Sequence, residues 1–498
     1  MSEPDRHAER EAKLVAPAGF RLPDLSGDDL VAAPPAERRY ATVYLDTPDL
    51  DVARWGCSLR HREGEGWTVK LPSSSEGDML VRGEHVFEGA SNRHPPEAAV
   101  DLLRAYVRDR PLAPSVRLRT VRRSVVLSDH LGRKVAEVTD DEVSVMDGRR
   151  VASRFREVEV ELAAGTSEEV MGSLIERLQE AGAGPVDNVS KLRRALGPRA
   201  ERSPELLVPE IDKSASVTHV VRRALAGSVV RLLRHDAGVR LGEDPEQVHQ
   251  ARVATRRLRS DLRTFRDALE PDWAGGLRDE LKWLGRELGA VRDAEVMRER
   301  LGERADVLDA EDRRAADALL RRLDDRQTEA REELIRSMRE PRYAKLLDAL
   351  VEGADAPAVL PEVAEAPASE ALRPALEAPW KHLETAMDTA GDDPTDQNLH
   401  AARIRAKRVR YAAEAVSPVF GKRARAFAEA AVELQDVLGE HQDAVVAGAW
   451  LREAGRSGGD AFVAGELAAV EAQTAASSRD AVPAAWKALS RKRLRFWS

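Results

Sequence analysis

From the N-terminus to about residue 197, apolar and branched residues alternate with polar ones in short runs. Tyr40–Leu45, Ser58–Arg62, Trp67–Leu71, Leu80–Phe87, Val116–Leu127, Lys134–Val138 and Arg154–Leu162 all follow this pattern, the period of a half-buried strand. Glycine-containing turns separate them, and amphipathic helices are expected over 96–108 and 167–181. Beyond residue 215 the apolar spacing changes to three and four. This predicts helices over 216–233, 245–268, 273–301, 309–338 and 342–351, then over 373–390, 396–416, 422–438, 441–454 and 465–478. The proline-containing, charged stretches 198–214 and 352–372 lack either period and read as linkers. The chain is therefore expected to be α+β, with a strand-built domain at 1–197 and an all-α domain at 215–498. The latter divides into halves at 215–351 and 373–498.

The alternation sorts charge as well as hydrophobicity. Glu9, Glu11 and Lys13 share one side of a strand, as do Arg60 and Arg62. Arg117, Arg119 and Arg123 form a basic row, and Glu157, Glu159 and Glu161 an acidic one. A single such row is ordinary for a half-exposed sheet. Several rows of both signs are better explained by a closed barrel with a charged lumen. There, carboxylates suit a hard divalent cation and the Arg and Lys rows suit phosphates.

In the helical half a motif is written twice. His249-Gln-Ala-Arg-Val-Ala-Thr-Arg-Arg-Leu-Arg259 recurs as His400-Ala-Ala-Arg-Ile-Arg-Ala-Lys-Arg-Val-Arg410, an offset of 151 residues (249 to 400). On a helix, His249, Arg252, Arg256 and Arg259 share a face, and so do His400, Arg403, Lys407 and Arg410. A histidine and three cations in one stripe repel one another unless a polyanion or a row of carboxylates answers them. A second pair of motifs, L-x-x-x-L-G-x-x-x-D-A-x-V, contains Asp293 and Asp443, for which capping or packing is the expected role. Two such halves predict pseudo-symmetric helical bundles whose basic faces converge on one groove.

Composition narrows the partners. Net charge is −9, so polyanion binding must come from local patches, and only 4% of residues are aromatic, which argues against nucleic acid. The single cysteine, Cys57, excludes a disulfide framework and a cysteine metal site. No apolar run reaches the ~18 residues of a membrane span. A cytoplasmic location is expected.

The order of motifs along the first 195 residues resembles the CYTH, or triphosphate tunnel, family. It is carried by Glu9-Arg-Glu-Ala-Lys13, Tyr44-Leu-Asp-Thr47, Leu59-Arg-His-Arg62, Thr68-Val-Lys70 and Arg82-Gly-Glu84. It continues through Arg117 and Arg119, Val138-Thr-Asp140, Glu157-Val-Glu-Val-Glu161 and Ser190-Lys191. The resemblance implies an eight-stranded antiparallel β-barrel that acts on triphosphate compounds with Mg²⁺ or Mn²⁺. By position, Glu9, Glu11, Glu157 and Glu159 would face the metal, with Asp140 as helper. Lys13, Arg60, Arg62, Lys70, Arg82, Arg117, Arg119 and Lys191 would grip the triphosphate. Glu9, Glu11, Lys13 and Lys70 form the implied catalytic set, Lys70 as a candidate base. One position departs from the family: Arg82-Gly-Glu-His-Val86 loses or shifts to Glu88 the second acid of an R-x-E-x-E strand. The duplicated histidine–arginine stripe resembles the CHAD, or conserved histidine α-helical, domain over about 215–498, which implies polyphosphate binding and association with polyphosphate granules. The expected function is hydrolysis of inorganic triphosphate in the barrel with polyphosphate held by the helices. A non-catalytic polyphosphate binder is the alternative, as is adenylate cyclase or thiamine triphosphatase activity.

Overall fold

The computed structural model describes residues 5–27, 29–72, 74–76, 79–89, 93–456 and 460–497, with backbone alone at 5–9, 74–76 and 79–82. The chain divides into two compact units, Met1–Glu205 and Leu206–Ser498.

The first unit is built from β1 (Asp5–Val15), β2 (Val31–Ala32), β3 (Ala36–Asp46), β4 (Ser58–Arg62), β5 (Gly66–Lys70), β6 (Ser74–Glu76), β7 (Met79–Phe87), β8 (Ala113–Ser128), β9 (Lys134–Asp147) and β10 (Arg150–Leu162). The pairing order β1-β10-β9-β8-β3-β4-β5-β7 is antiparallel throughout, and β7 pairs back onto β1. Eight strands thus curl into a ring, with β2 added to β8 and β6 to β7. Closure depends on β1, whose first half registers on β7 (Asp5↔Val86 to Glu11↔Leu80) and whose second half registers on β10 (Arg10↔Leu162 to Val15↔Glu157).

Short helices α1 (Asp51–Arg54), α2 (Glu97–Asp101) and α3 (Arg104–Val107) cross the connections. The single helix expected over 96–108 is broken between α2 and α3, where Leu102 and Leu103 turn into the core. Helix α4 (Glu168–Glu180) lays Met171, Leu174 and Leu178 on the outer face of the ring, against Leu14, Val138, Val158 and Val160. Each such side chain contributes about 2 kcal/mol by leaving water. Helix α5 (Lys191–Leu196) inserts Leu192 and Leu196 against Tyr44, Leu118 and Val143, which point inward and fill one end of the lumen. The expected linker at 198–214 is partly structured. Ala200 joins this cluster, and Arg108 holds Glu205 at 2.6 Å.

The second unit is helical: α6 (Val217–Leu241), α7 (Pro245–Thr264), α8 (Pro271–Ala305), α9 (Ala310–Arg339), α10 (Pro341–Asp355), the short α11 (Pro361–Ala364) and α12 (Ala368–Ala371), then α13 (Pro374–Asp392), α14 (Asp396–Phe420), α15 (Lys422–Arg456) and α16 (Ala461–Leu489). Moved by 151 residues, α7, α8 and α9 begin where α14, α15 and α16 begin. The starts are set locally in both copies. Asp244 caps α7 by accepting from the Glu246 amide at 2.9 Å, and Thr395 caps α14 by accepting from the Asn398 amide at 3.3 Å. The two halves share a core in which Leu301, Leu319 and Leu323 meet Leu451, Val463 and Leu467. Arg300 adds an ionic tie across it, reaching Glu440 at 2.9 Å and Glu471 at 2.5 Å. The two helices expected over 422–438 and 441–454 are one, because Gly439 does not break α15. The basic C-terminal tail packs down: Arg495 pairs with Glu384 at 2.7 Å and Trp497 lies against Phe427.

Candidate functional site

Strand parity decides what enters the barrel. The registers Lys13↔Glu159, Glu159↔Thr139, Glu157↔Asp141 and Asp141↔Arg122 put these side chains on one side of the sheet. On β3, β4 and β5 the same side carries Tyr44, Arg60, Arg62 and Lys70, and on β7 it carries Glu84. All of these but the fully buried Asp141 and Glu157 line a cavity of about 390 Å³ into which α5 sends Lys191.

The lumen is a lattice of opposed charges. Lys13 donates to Glu159 and lies 3.0 Å from Glu11. Lys191 reaches Glu157 at 2.6 Å, Glu159 at 2.8 Å and Asp141 at 2.9 Å. Arg122 forks onto Asp141 at 2.6 and 2.8 Å and reaches Glu159 at 2.9 Å. Across the cavity, Glu84 accepts from Arg60 at 3.0 Å and pairs with Lys70 at 2.6 Å. Arg62 pairs with Glu65 at 2.7 Å and lies 4.5 Å from the centre of the Tyr40 ring. Burial pushes the Glu159 carboxyl up, but Lys13, Lys191 and Arg122 outweigh it and hold it well below the usual range. For Lys191, burial favours the neutral amine, yet Asp141, Glu157 and Glu159 hold it well above its ordinary value. Lys13 follows the same logic through Glu159 and Glu11. The site thus keeps its ammoniums and carboxylates charged together.

Three expectations are corrected by parity. Arg117 and Arg119 are exposed on the outer face, since Leu118, Thr120 and Arg122 are the β8 residues that turn inward. Arg119 instead lines a broader outer hollow of about 860 Å³. Asp140 also points away from the lumen, gripped by Arg156 at 2.7 Å, and its neighbour Asp141 takes the inward place. Glu157 is fully buried behind Lys191 and also pairs with Arg194 at 3.5 Å. Lys70, expected as a candidate base, directs its ammonium into Glu84, which makes it a donor. Past the end of β7, Glu88 is exposed, and Val86 holds the place of the missing acid. Glu9 and Arg82 face each other in the β1–β7 register, and their side chains lie outside the described residues. An unforeseen feature is the acidic row Glu11–Glu161–Glu137 across β1, β10 and β9. Burial, with Glu137 and Glu11 adding to it against Lys134, raises the Glu161 carboxyl above its ordinary range.

The donors fit a hard divalent cation in kind. Glu11 and Glu159 meet at Lys13, and Glu11 Oε1 is a buried acceptor with no hydrogen-bond partner. Among the described residues no three Asp, Glu, His or Cys side chains form a ready cage. Mg²⁺ does not need one, because it uses one or two carboxylates and completes its shell with water and phosphate oxygens.

In the helical unit the duplicated stripes meet. Arg256 of α7 lies 5.5 Å from the centre of the Tyr411 ring on α14. Burial, then Arg403, Arg256 and Arg252 against the opposing Asp443, push Lys407 down to about 7. Burial first, then Arg252, Arg403 and Arg410 against the opposing Tyr411, lower Arg256 as well. A lysine on α14 that feels the arginines of α7 places both stripes on one groove. Burial and then Arg292 also lower His249, and His400 shares a 2.7 Å hydrogen bond with Gln442. Arg410 is anchored by Glu414 at 2.7 Å, and Arg259 runs along Gly285. Asp293 and Asp443, for which capping or packing was expected, hold the stripes in place. Asp293 pairs with Arg252 at 2.9 Å and Asp443 with Arg403 at 3.5 Å. The preceding glycines, Gly289 and Gly439, leave room beside the same two arginines.

The model of the CYTH domain matches residues 7–196, and that of the CHAD domain matches residues 223–452. The chain belongs to the CYTH–CHAD proteins. An uncharacterized protein of Mycobacterium tuberculosis, Rv2226, is 33% identical over 526 residues, which cover 98% of this chain and 97% of that one. Among solved structures, PptA from Streptomyces chartreusis is 26% identical over 55% of this chain and 100% of its own, with a TM-score of 0.47. The CHAD domain from the plant Ricinus communis is 28% identical over 56% of this chain and 95% of its own, also with a TM-score of 0.47. CYTH proteins are triphosphate tunnel enzymes that generally work with Mg²⁺ or Mn²⁺. No helix of the described residues is long and apolar enough to cross a membrane.

Proposed function

We propose that the CYTH barrel hydrolyses inorganic triphosphate and that the CHAD groove holds polyphosphate. The observation that supports the reading most directly is the charged lattice of the lumen, where Lys13, Lys191 and Arg122 share Glu159, and Lys191 and Arg122 also share Asp141, beside an open cavity. Glu11 and Glu159 would hold Mg²⁺ or Mn²⁺, which when bound would neutralise phosphate oxygens and draw charge from the terminal phosphorus. Arg60, Arg62, Lys70 and Arg122 offer donors to the remaining phosphate oxygens by trading carboxylate partners for substrate. Lys13 and Lys191, held protonated by their carboxylates, supply fixed positive charge where negative charge develops. In the CHAD groove, Arg252, Arg256, Arg259, Arg403, Lys407 and Arg410 present a run of donors suited to the regular charge of a phosphate chain.

Phosphate release from tripolyphosphate in Mg²⁺ or Mn²⁺ tests the enzymatic part. Glu11→Ala and Glu159→Ala are expected to lower turnover by at least about a hundredfold, the scale of losing a transition-state electrostatic group. Absence of turnover by the intact chain with either metal across neutral and alkaline pH would leave polyphosphate binding alone.

A further inference from the structure

Duplication gives the CHAD domain two hollows whose linings correspond at most positions. One lies between α6 and the α7/α14 contact, the other between α13 and the same contact. At the 151-residue offset, Arg257 of the first matches Arg408 of the second, Tyr411 matches Ser260, and Arg231 matches His382. The acids do not match. In the first hollow Glu414 accepts from Arg257 and, at 2.7 Å, from Arg410, with buried Asp261 nearby. The positions equivalent to Glu414 and Asp261 in the second are Arg263 and Ala412.

One copy of the hollow therefore carries a counter-charge in Glu414, while burial pushes the neighbouring Asp261 up to about 8, toward its neutral form; the other copy lacks that counter-charge and is left more cationic. The cationic one, about 210 Å³, gathers Arg263, Arg405 and Arg408, with Arg278 of α8 alongside. All four are half-buried, and among the described residues none of them meets a carboxylate. Asp267 on its wall is occupied by Arg266 at 3.2 Å. Burial, followed by Arg263, Arg405 and Arg278, pushes Arg408 down to about 10, so the guanidiniums feel one another strongly. Crowding of this kind is unfavourable unless an anion resolves it.

We propose that this second hollow is a phosphoryl-oxyanion site, distinct from the stripe groove and created by the exchange of a carboxylate for Arg263. Several fork-shaped donors around a small volume suit a compact, multiply charged tetrahedral anion. Among the described residues the wall carries no Phe, Tyr or Trp and one aromatic ring, His382, so its guanidinium donors match phosphoryl oxygens better than a base. The ligand is either free orthophosphate or phosphate units of a longer chain.

The test titrates the full chain, in EDTA, with orthophosphate and separately with long-chain polyphosphate. Arg263→Glu restores the charge pattern of the sister hollow, and Arg408→Ala removes one donor while relieving repulsion. Each is expected to weaken phosphate binding roughly ten- to a hundredfold, the worth of one charge-assisted hydrogen bond. The groove variant Arg256→Ala/Lys407→Ala, which lowers polyphosphate binding by itself, supplies the loss against which additivity is read. Orthophosphate binding lost in the first two variants assigns a free-anion site. A loss confined to polyphosphate, and additive with that of the groove variant, assigns the hollow to the chain. Unchanged binding of both ligands in Arg263→Glu and Arg408→Ala, with thermal melting showing both variants folded, overturns the proposal.

Discussion

Arg122 sits where substrate and protein compete for the same donor, forked onto Asp141 and touching Glu159. Arg122→Ala is expected to lower kcat/KM for tripolyphosphate about a hundredfold or more, whereas Arg119→Ala on the outer face should change it less than about twofold. Equal effects in the phosphate-release assay would sink the assignment. Nothing in Arg117-Leu-Arg-Thr-Val-Arg-Arg123 states which parity turns inward, because both sets carry arginine. Only pairing with Asp141 on β9 selects Arg122. In the groove, Lys407 near 7 is partly neutral at pH 7, while an anion favours its charged form. Polyphosphate binding should then take up a proton as pH rises above 7 toward the ordinary lysine value, and affinity should fall over that window. Burial sets the value first, followed by Arg403 of α14 and Arg256 and Arg252 of α7 against Asp443 of α15. Calorimetry at pH 8 in buffers of different ionisation enthalpy reads the uptake; identical heats, or the same uptake in Lys407→Met, would contradict it.

Among the elements, α15 shows why a glycine need not end a helix. Gly439 continues the helix, and a methyl group there would lie 3.8 Å from Arg403 Nε, an ordinary contact. Gly439→Ala should therefore gain about 0.5–1 kcal/mol from helix propensity with groove binding nearly intact, whereas Gly439→Leu should displace Arg403 and weaken polyphosphate binding. Denaturant unfolding and binding measured side by side check both. A loss of stability in the alanine variant would mean that the glycine serves closer packing than the structure shows. Helix starts were legible because Asp244 and Thr395 are local caps, and the 151-residue offset was legible because the stripes are long and nearly identical. The continuity of α15 was not, since a Gly-Glu pair looks the same whether a neighbouring arginine occupies the space beside it or the helix stops.

At the scale of the molecule, two kinds of basic site occur in separate compact units. Arg256→Ala/Lys407→Ala is expected to weaken long-chain polyphosphate binding by roughly tenfold or more while leaving tripolyphosphate turnover within about twofold. Parallel loss of both activities would show that the two units act as one site.

Periodicity, charge sorting and repetition are one-dimensional properties, and they alone determined the strand-built and helical divisions, the duplicated halves and the presence of acidic and basic rows. The tertiary structure decided which row faced which. A one-residue change of parity sends a side chain to the opposite side of a sheet, so Asp141 and Arg122 rather than Asp140, Arg117 and Arg119 enter the lumen. The exchange of Glu414 for Arg263 likewise acquires its meaning only when two segments 151 residues apart fold into matching hollows, one with its counter-charge and one without.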